Sequence, residues 1–308
     1  MNKSHNRRVK SIKWLACCFI VWLVGIPVTG RSQTPGKFKL AIIQMYVEPG
    51  DKEKNLAHAE ELIKEAKANG ADFALLPEMM DLGWTHPSAK KLAGQVPGGE
   101  TCSRLCNAAR KNNMYICCGI AERADGQVYN AAVVIDNFGK VLLKHRKLNE
   151  LDIAHDVYAQ GDCLGVCHTP YGTLGLMICA DAFAKSNALA QALCYMGADV
   201  ILSPSSWAVR PGFDNQATPY GKEWREAYKP VAREYSVWIA AVSNVGPVTE
   251  GPWKGWKCIG CSMVVGPDGQ ERITGPFGEN AEKILYCLVN PLPRPARGTQ
   301  WYNYKPKN

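Results

Sequence analysis

From residue 38 onward, short apolar runs alternate with amphipathic stretches, and that alternation predicts strands and helices in turn. Phe38-Lys39-Leu40-Ala41-Ile42-Ile43-Gln44-Met45 reads as a buried strand. Over residues 51–69, Leu56, Ala59, Leu62, Ile63 and Ala66 recur at spacings of three and four, which places them on one helical face. Asp51 is positioned to cap that helix and Gly70 to end it. A second short strand spans 72–78, closing on Leu75-Leu76-Pro77-Glu78. The turn residues Pro97-Gly98-Gly99 lead to a helix near 101–111. Strands follow near 114–120, 128–135 and 140–143, the last two joined by Asp136-Asn137-Phe138-Gly139.

The second half repeats the theme. A strand over 175–178 ends at Cys179, and a helix near 187–196 follows. Next come a strand at 199–202, a helix near 220–235, a strand at 237–242 and a hairpin around Pro267-Asp268-Gly269. Alternating strands and helices with hairpins between them indicate an α/β chain with layered sheets, organised as one domain over 33–308. The tail after Pro291, with Pro293, Pro295, Trp301, Tyr302 and Tyr304, reads as extended.

Composition changes this picture in two places. The formal charge of +8 is concentrated at the start: Lys3, Arg7, Arg8, Lys10, Lys13 and Arg31 fall within residues 1–32, which hold no acidic residue. Without them +2 remains, so the basic balance gives no case for nucleic acid as a partner. The same segment has a cationic start, an apolar run over 14–28 and small or polar residues at Thr29-Gly30-Arg31-Ser32-Gln33, the order of an export signal. That run is short against the roughly 20 residues of a stable span. A signal peptide over 1–32, cleaved near Gly30 or Ser32, and a periplasmic or secreted product are expected. The alternative is an uncleaved membrane anchor. Eleven cysteines remain after Cys17 and Cys18, an odd number that fits one free reactive thiol. The close pairs Cys102/Cys106, Cys163/Cys167 and Cys258/Cys261 suit neither disulfide geometry nor a zinc site, so no metal is expected.

Three residues at strand ends carry candidate chemistry: Glu78, Lys147 in Lys144-His145-Arg146-Lys147, and Cys179 in Gly175-Leu176-Met177-Ile178-Cys179-Ala180-Asp181. A thiol attacks as thiolate and needs a group to take its proton. A buried carboxylate can do so, while an ammonium and the Ala180 backbone N–H stabilise the developing oxyanion. This mechanism calls for no metal or organic cofactor. Trp84 and Trp207 are candidate pocket walls, or else core packing. Asp181 is a candidate substrate ligand, or a cap for the following helix, the reading its position favours.

Leu-Leu-Pro-Glu78 with Gly83-Trp84, His-Arg-Lys147-Leu and Gly-Leu-Met-Ile-Cys179-Ala-Asp181 occur in that order, supported by Ser203-Pro204-Ser205-Ser206-Trp207, Ser243-Asn244-Val245-Gly246 and Gly260-Cys261-Ser262. Over residues 38–290 the chain resembles the nitrilase superfamily of carbon–nitrogen hydrolases. The resemblance implies a four-layer α-β-β-α sandwich and a Glu78-Lys147-Cys179 triad acting on a small amide or N-carbamoyl compound with water. It also implies a homodimer or higher homo-oligomer built through helices near the nucleophile. Two positions depart from the pattern: Phe183 stands where many relatives carry Arg, and Ala154 falls where a second Glu is common, with Asp152, His155 or Asp156 as stand-ins. Nitrile hydrolysis, N-acyl transfer and an inactive scaffold are the competing readings. The lack of further long apolar segments speaks against the acyltransferase.

Overall fold

The computed structural model describes residues 35–292, so the leader and the tail from residue 293 lie outside the described residues. Two six-stranded sheets form the centre. The first runs, in spatial order, Lys283–Val289, Phe38–Gln44, Phe73–Leu75, Tyr115–Ala124, Gln127–Ile135 and Val141–Arg146. The second runs Glu271–Thr274, Met263–Val265, Trp238–Ser243, Val200–Ser205, Gly172–Leu176 and Val166–Thr169. Phe73–Leu75 pairs parallel to both neighbours, as does Val200–Ser205, while hairpins complete the edges.

The first strand is apolar throughout because both of its faces are buried. Leu40 and Ile42 turn inward with Phe73, Leu75, Cys117 and Val134, meeting Leu174, Leu176, Val200 and Leu202 of the second sheet. Ala41 and Ile43 turn outward beneath the helices Lys52–Ala68 and Glu100–Asn112, against Leu56, Ala59, Leu62 and Leu105. On the second sheet, Ala188–Tyr195 and Lys222–Tyr235 supply Leu193, Trp224, Ala227 and Val231 to the central core. Helix, sheet, sheet, helix is the order of layers, as the resemblance implies.

Asp51 caps the first helix as expected, its Oδ1 accepting from Lys54 N–H at 3.1 Å. Other boundaries differ. The strand expected over 72–78 pairs only through Leu75, after which Leu76, Met80 and Glu78 bond to Cys117, Gly119 and Ser205. The strand after Gly139 extends to Arg146, carrying its end to Lys147. A hairpin partner, Val166–Thr169, precedes the Cys179 strand, and a three-stranded sheet of Ala208–Val209, Val245–Pro247 and Lys257–Ile259 covers one end. Neither shows in hydropathy, since strands of two to four residues give no measurable period. All eleven described cysteines are free thiols.

Candidate active site

The carboxyl ends of the central parallel strands from both sheets meet, and a backbone bond from Glu78 N–H to the Ser205 carbonyl (3.2 Å) joins them. Glu78 emerges after Leu76-Pro77 and is 1 % exposed. Its segment lies directly on the neighbouring strand: a Cβ at Gly119 would sit 2.5 Å from the Glu78 Cα, so no larger residue fits there without a shift. Met79, the next residue, has φ +49°, and Cys179 has φ +45°. Both sharp turns use left-handed backbone outside glycine, which costs on the order of 1–3 kcal/mol and persists only where surrounding packing enforces it.

Glu78 Oε1 accepts from Lys147 Nζ at 2.8 Å and from Asn130 Nδ2 at 2.7 Å. Its second oxygen, Oε2, is buried and has no hydrogen-bond partner among the described residues. Lys147 is as deeply buried and also pairs with Glu150 at 3.5 Å. Burial works against its charge, yet Glu78, Glu150 and Cys179 outweigh that and hold the ammonium well above the ordinary lysine value. Cys179 is nine-tenths buried. Burial, then the charge of Glu78, pushes its thiol up, opposed by Lys147 and by the Ser206 N–H aimed at the sulfur. The resting sulfur is therefore protonated, and it lies beside a carboxylate with one uncommitted oxygen.

Glu150 was not foreseen. Burial raises its pKa, Lys147 lowers it, and Glu78 raises it again, for a net upward shift. The stand-ins expected for the missing second Glu are all exposed: Asp152, His155 and Asp156 face solvent. Ala154 packs in an apolar cluster with Trp84 and Tyr158. The sequence signal for Glu150 was its spacing of three from Lys147; for Asn130 it was one amide within an otherwise apolar strand.

Asp181 caps its own turn, Cys179–Phe183, and not the following helix. Its Oδ2 accepts from Ile178 N–H and contacts His145 Nε2, each at 2.8 Å, and its Oδ1 accepts from Leu148 N–H (3.1 Å) and Asn149 N–H (2.7 Å). With every contact internal and no exposure, it is a brace between the Lys147 and Cys179 turns, not a substrate ligand. Burial opposes its charge, but His145 and the backbone N–H groups prevail and keep its carboxyl low. Trp207 takes the core-packing alternative: 1 % exposed, it stacks on Trp224 at 4.5 Å. Trp84 sits closer to the chemistry, with Lys147 Nζ 5.7 Å from its ring centre and Trp253 at 4.9 Å. Phe183 is half-exposed with its ring 4.4 Å from Trp224. Among the described residues no cluster of three His, Cys, Asp or Glu is arranged to hold a metal ion, and no helix is long and apolar enough to cross a membrane.

The layered sandwich, with a thiol, an ammonium and a carboxylate gathered at its strand ends, defines the nitrilase fold class. The sequence model of the carbon–nitrogen hydrolase family matches residues 39–292, and the chain belongs to that family, within the nitrilase superfamily. A nitrilase of Pyrococcus abyssi is 33% identical over 263 residues, 82% of this chain and 92% of the relative. An omega-amidase of Xenopus tropicalis is 29% identical over 245 residues, 76% of this chain and 83% of the relative. A solved carbon–nitrogen hydrolase from Helicobacter pylori G27 superposes with TM-score 0.73 at 22% identity, over 82% of this chain and 89% of that one. An amidase from Nesterenkonia sp. gives 0.68 at 21%, over 82% and 90%. These two likenesses concern the fold.

Proposed function

We propose that the protein is a cysteine hydrolase that cleaves the C–N bond of a small linear amide through a thioester. One observation carries the reading: Glu78 shares Oε1 with Lys147 and Asn130 while Oε2 stays free within a closed, buried cluster that includes Cys179. The free oxygen takes the thiol proton as sulfur attacks the carbonyl carbon. Lys147 and the Ala180 N–H, which opens a turn and so has no acceptor from a preceding turn, steady the oxyanion. The proton passes from Glu78 to the nitrogen, ammonia or an amine departs, and a thioester remains on Cys179. Water then gives its proton to Glu78 and its oxygen to the carbonyl, releasing the acid and restoring the thiol. Asn130 keeps the Glu78 plane fixed, and Glu150 balances the charge of Lys147.

The omega-amidase relatives support amides, and the Pyrococcus abyssi nitrilase supports nitriles as a second reading, since the same sulfur can add to a C≡N carbon. Ammonia release from simple amides, ureido acids and nitriles separates the two, and amides are expected to react fastest. Iodoacetamide should alkylate Cys179 ahead of the other ten described thiols. Labelling of Cys179 no faster than of exposed Cys163 would sink the catalytic reading. The leader supports export and the resemblance supports a homo-oligomer, as further parts of this reading.

A further inference from the structure

Beside the turn that begins at Cys179 lies a bowl of about 570 Å³, within the roughly 300–1,000 Å³ of small-molecule pockets. Its wall includes Phe183, Phe213, Tyr220, Trp224 and Trp256. Three connections tie it to the nucleophile. Phe183 is the last residue of the Cys179–Phe183 turn. Ala208 and Val209, also in the wall, follow closely after Ser206, whose N–H reaches the sulfur. The Tyr220 phenol, pushed up mainly by burial, lies within electrostatic reach of Cys179.

The rings form a layered stack. Phe183 leans on Trp224 at 4.4 Å, Trp224 stacks on buried Trp207 at 4.5 Å, and the Trp224 Nε1 donates to the Tyr220 hydroxyl at 3.1 Å. Charged groups in the lining are Arg210, Lys222 and Glu223, all exposed, so solvent screens them and both signs are present. Position 183 presents a half-exposed ring to the bowl and no cationic group. A carboxylate pressed against such a wall would lose hydration without gaining a buried partner.

We propose that this bowl receives the acyl group of the amide and that preferred substrates are uncharged amides with an aromatic or comparably bulky apolar acyl chain. The assignment rests on the amidase reading above and narrows it: monoamides of dicarboxylic acids and ureido acids are poor substrates for this chain.

The test compares ammonia release by the full chain from 3-phenylpropionamide, propionamide and succinamic acid. Burying a ring against these walls should raise kcat/KM for 3-phenylpropionamide at least about tenfold above propionamide, with succinamic acid slowest. Phe183→Arg should shrink the phenyl preference and raise succinamic acid relative to the other two. Phe183→Ala should shrink the phenyl preference without helping succinamic acid, and because the residue is half-exposed its loss spares the core. If propionamide or succinamic acid is cleaved as well as the phenyl amide, in a manner that needs Cys179, the substrate assignment falls and the amidase reading stands. If none of the three is cleaved, binding to Cys179→Ala decides the remainder by tryptophan fluorescence. Saturable binding of 3-phenylpropionamide that succinamic acid does not displace supports the bowl while ending the catalytic reading; no binding ends both.

Discussion

Glu78 has one oxygen committed to Lys147 and Asn130 and one without a partner, and its chemistry depends on that asymmetry. Replacing it by Gln keeps the shape but removes the proton acceptor, so turnover should fall at least about 10²-fold, the usual order for a lost general base, while melting temperature changes little. Asp181→Asn has the opposite signature. It places an N–H₂ group against backbone donors in a fully buried position, and an unsatisfied buried group costs about 1–3 kcal/mol. Thermal unfolding should show a lower Tm together with slower turnover, because the turns carrying Lys147 and Cys179 lose their brace. Unchanged Tm would contradict that role. Asp81 gives a pH test away from the chemistry. Burial raises its pKa to about 6, against the two contacts from Ala121 N–H. A carboxyl raised in the folded state adds stability at low pH and loses it as pH climbs through its folded value. Asp81→Asn should therefore gain on the native chain between about pH 4 and pH 6, by up to about 3 kcal/mol from roughly two pKa units. Parallel melting curves of the two across that range would refute it.

At the scale of elements, the longer strands and helices were legible because their apolar period survives ten or more residues, as in Lys52–Ala68 and Lys222–Tyr235. The candidate triad was legible for another reason: Glu78 and Cys179 each close an apolar run, Lys147 closes a basic patch at the end of a strand, and strand ends of such sheets collect at one edge. What escaped reading lies in contacts distant along the chain. Glu150 looks like one more loop acid until burial beside Lys147 is seen, and Asp181 looks like a cap alone until Leu148, Asn149 and His145 are found on it as well. Trp207 and Trp224 both pack in the core, and only the structure shows that Trp224 also lines the bowl. Gly119 offers a test at this scale. Gly119→Ala must push the Glu78 segment from its strand, costing about 1–3 kcal/mol as overpacking does, and should lower turnover more than stability. Full activity in that variant would show that Glu78 tolerates displacement.

For the whole molecule, the two sheets supply different parts of one site. The first sheet and its continuation bring Glu78, Asn130 and Lys147, and the second brings Cys179 and Ser206, so the site exists only when the sandwich is closed. Activity and global unfolding should then be lost together in denaturant, with coincident midpoints. Export is part of the proposed reading, in which N-terminal sequencing of the mature protein should begin near Gly30 or Ser32; recovery of Met1 would contradict cleavage. In the proposed mechanism three separated side chains act as one unit, and a mutant cycle on amide turnover puts that unity to the test. Cys179→Ala, Glu78→Gln and Lys147→Ala are each expected to fall by on the order of 10²-fold or more, and the Glu78→Gln/Cys179→Ala double variant to be no slower than the slower single. Native turnover in any one of the three, or losses that multiply in the double variant, would contradict it.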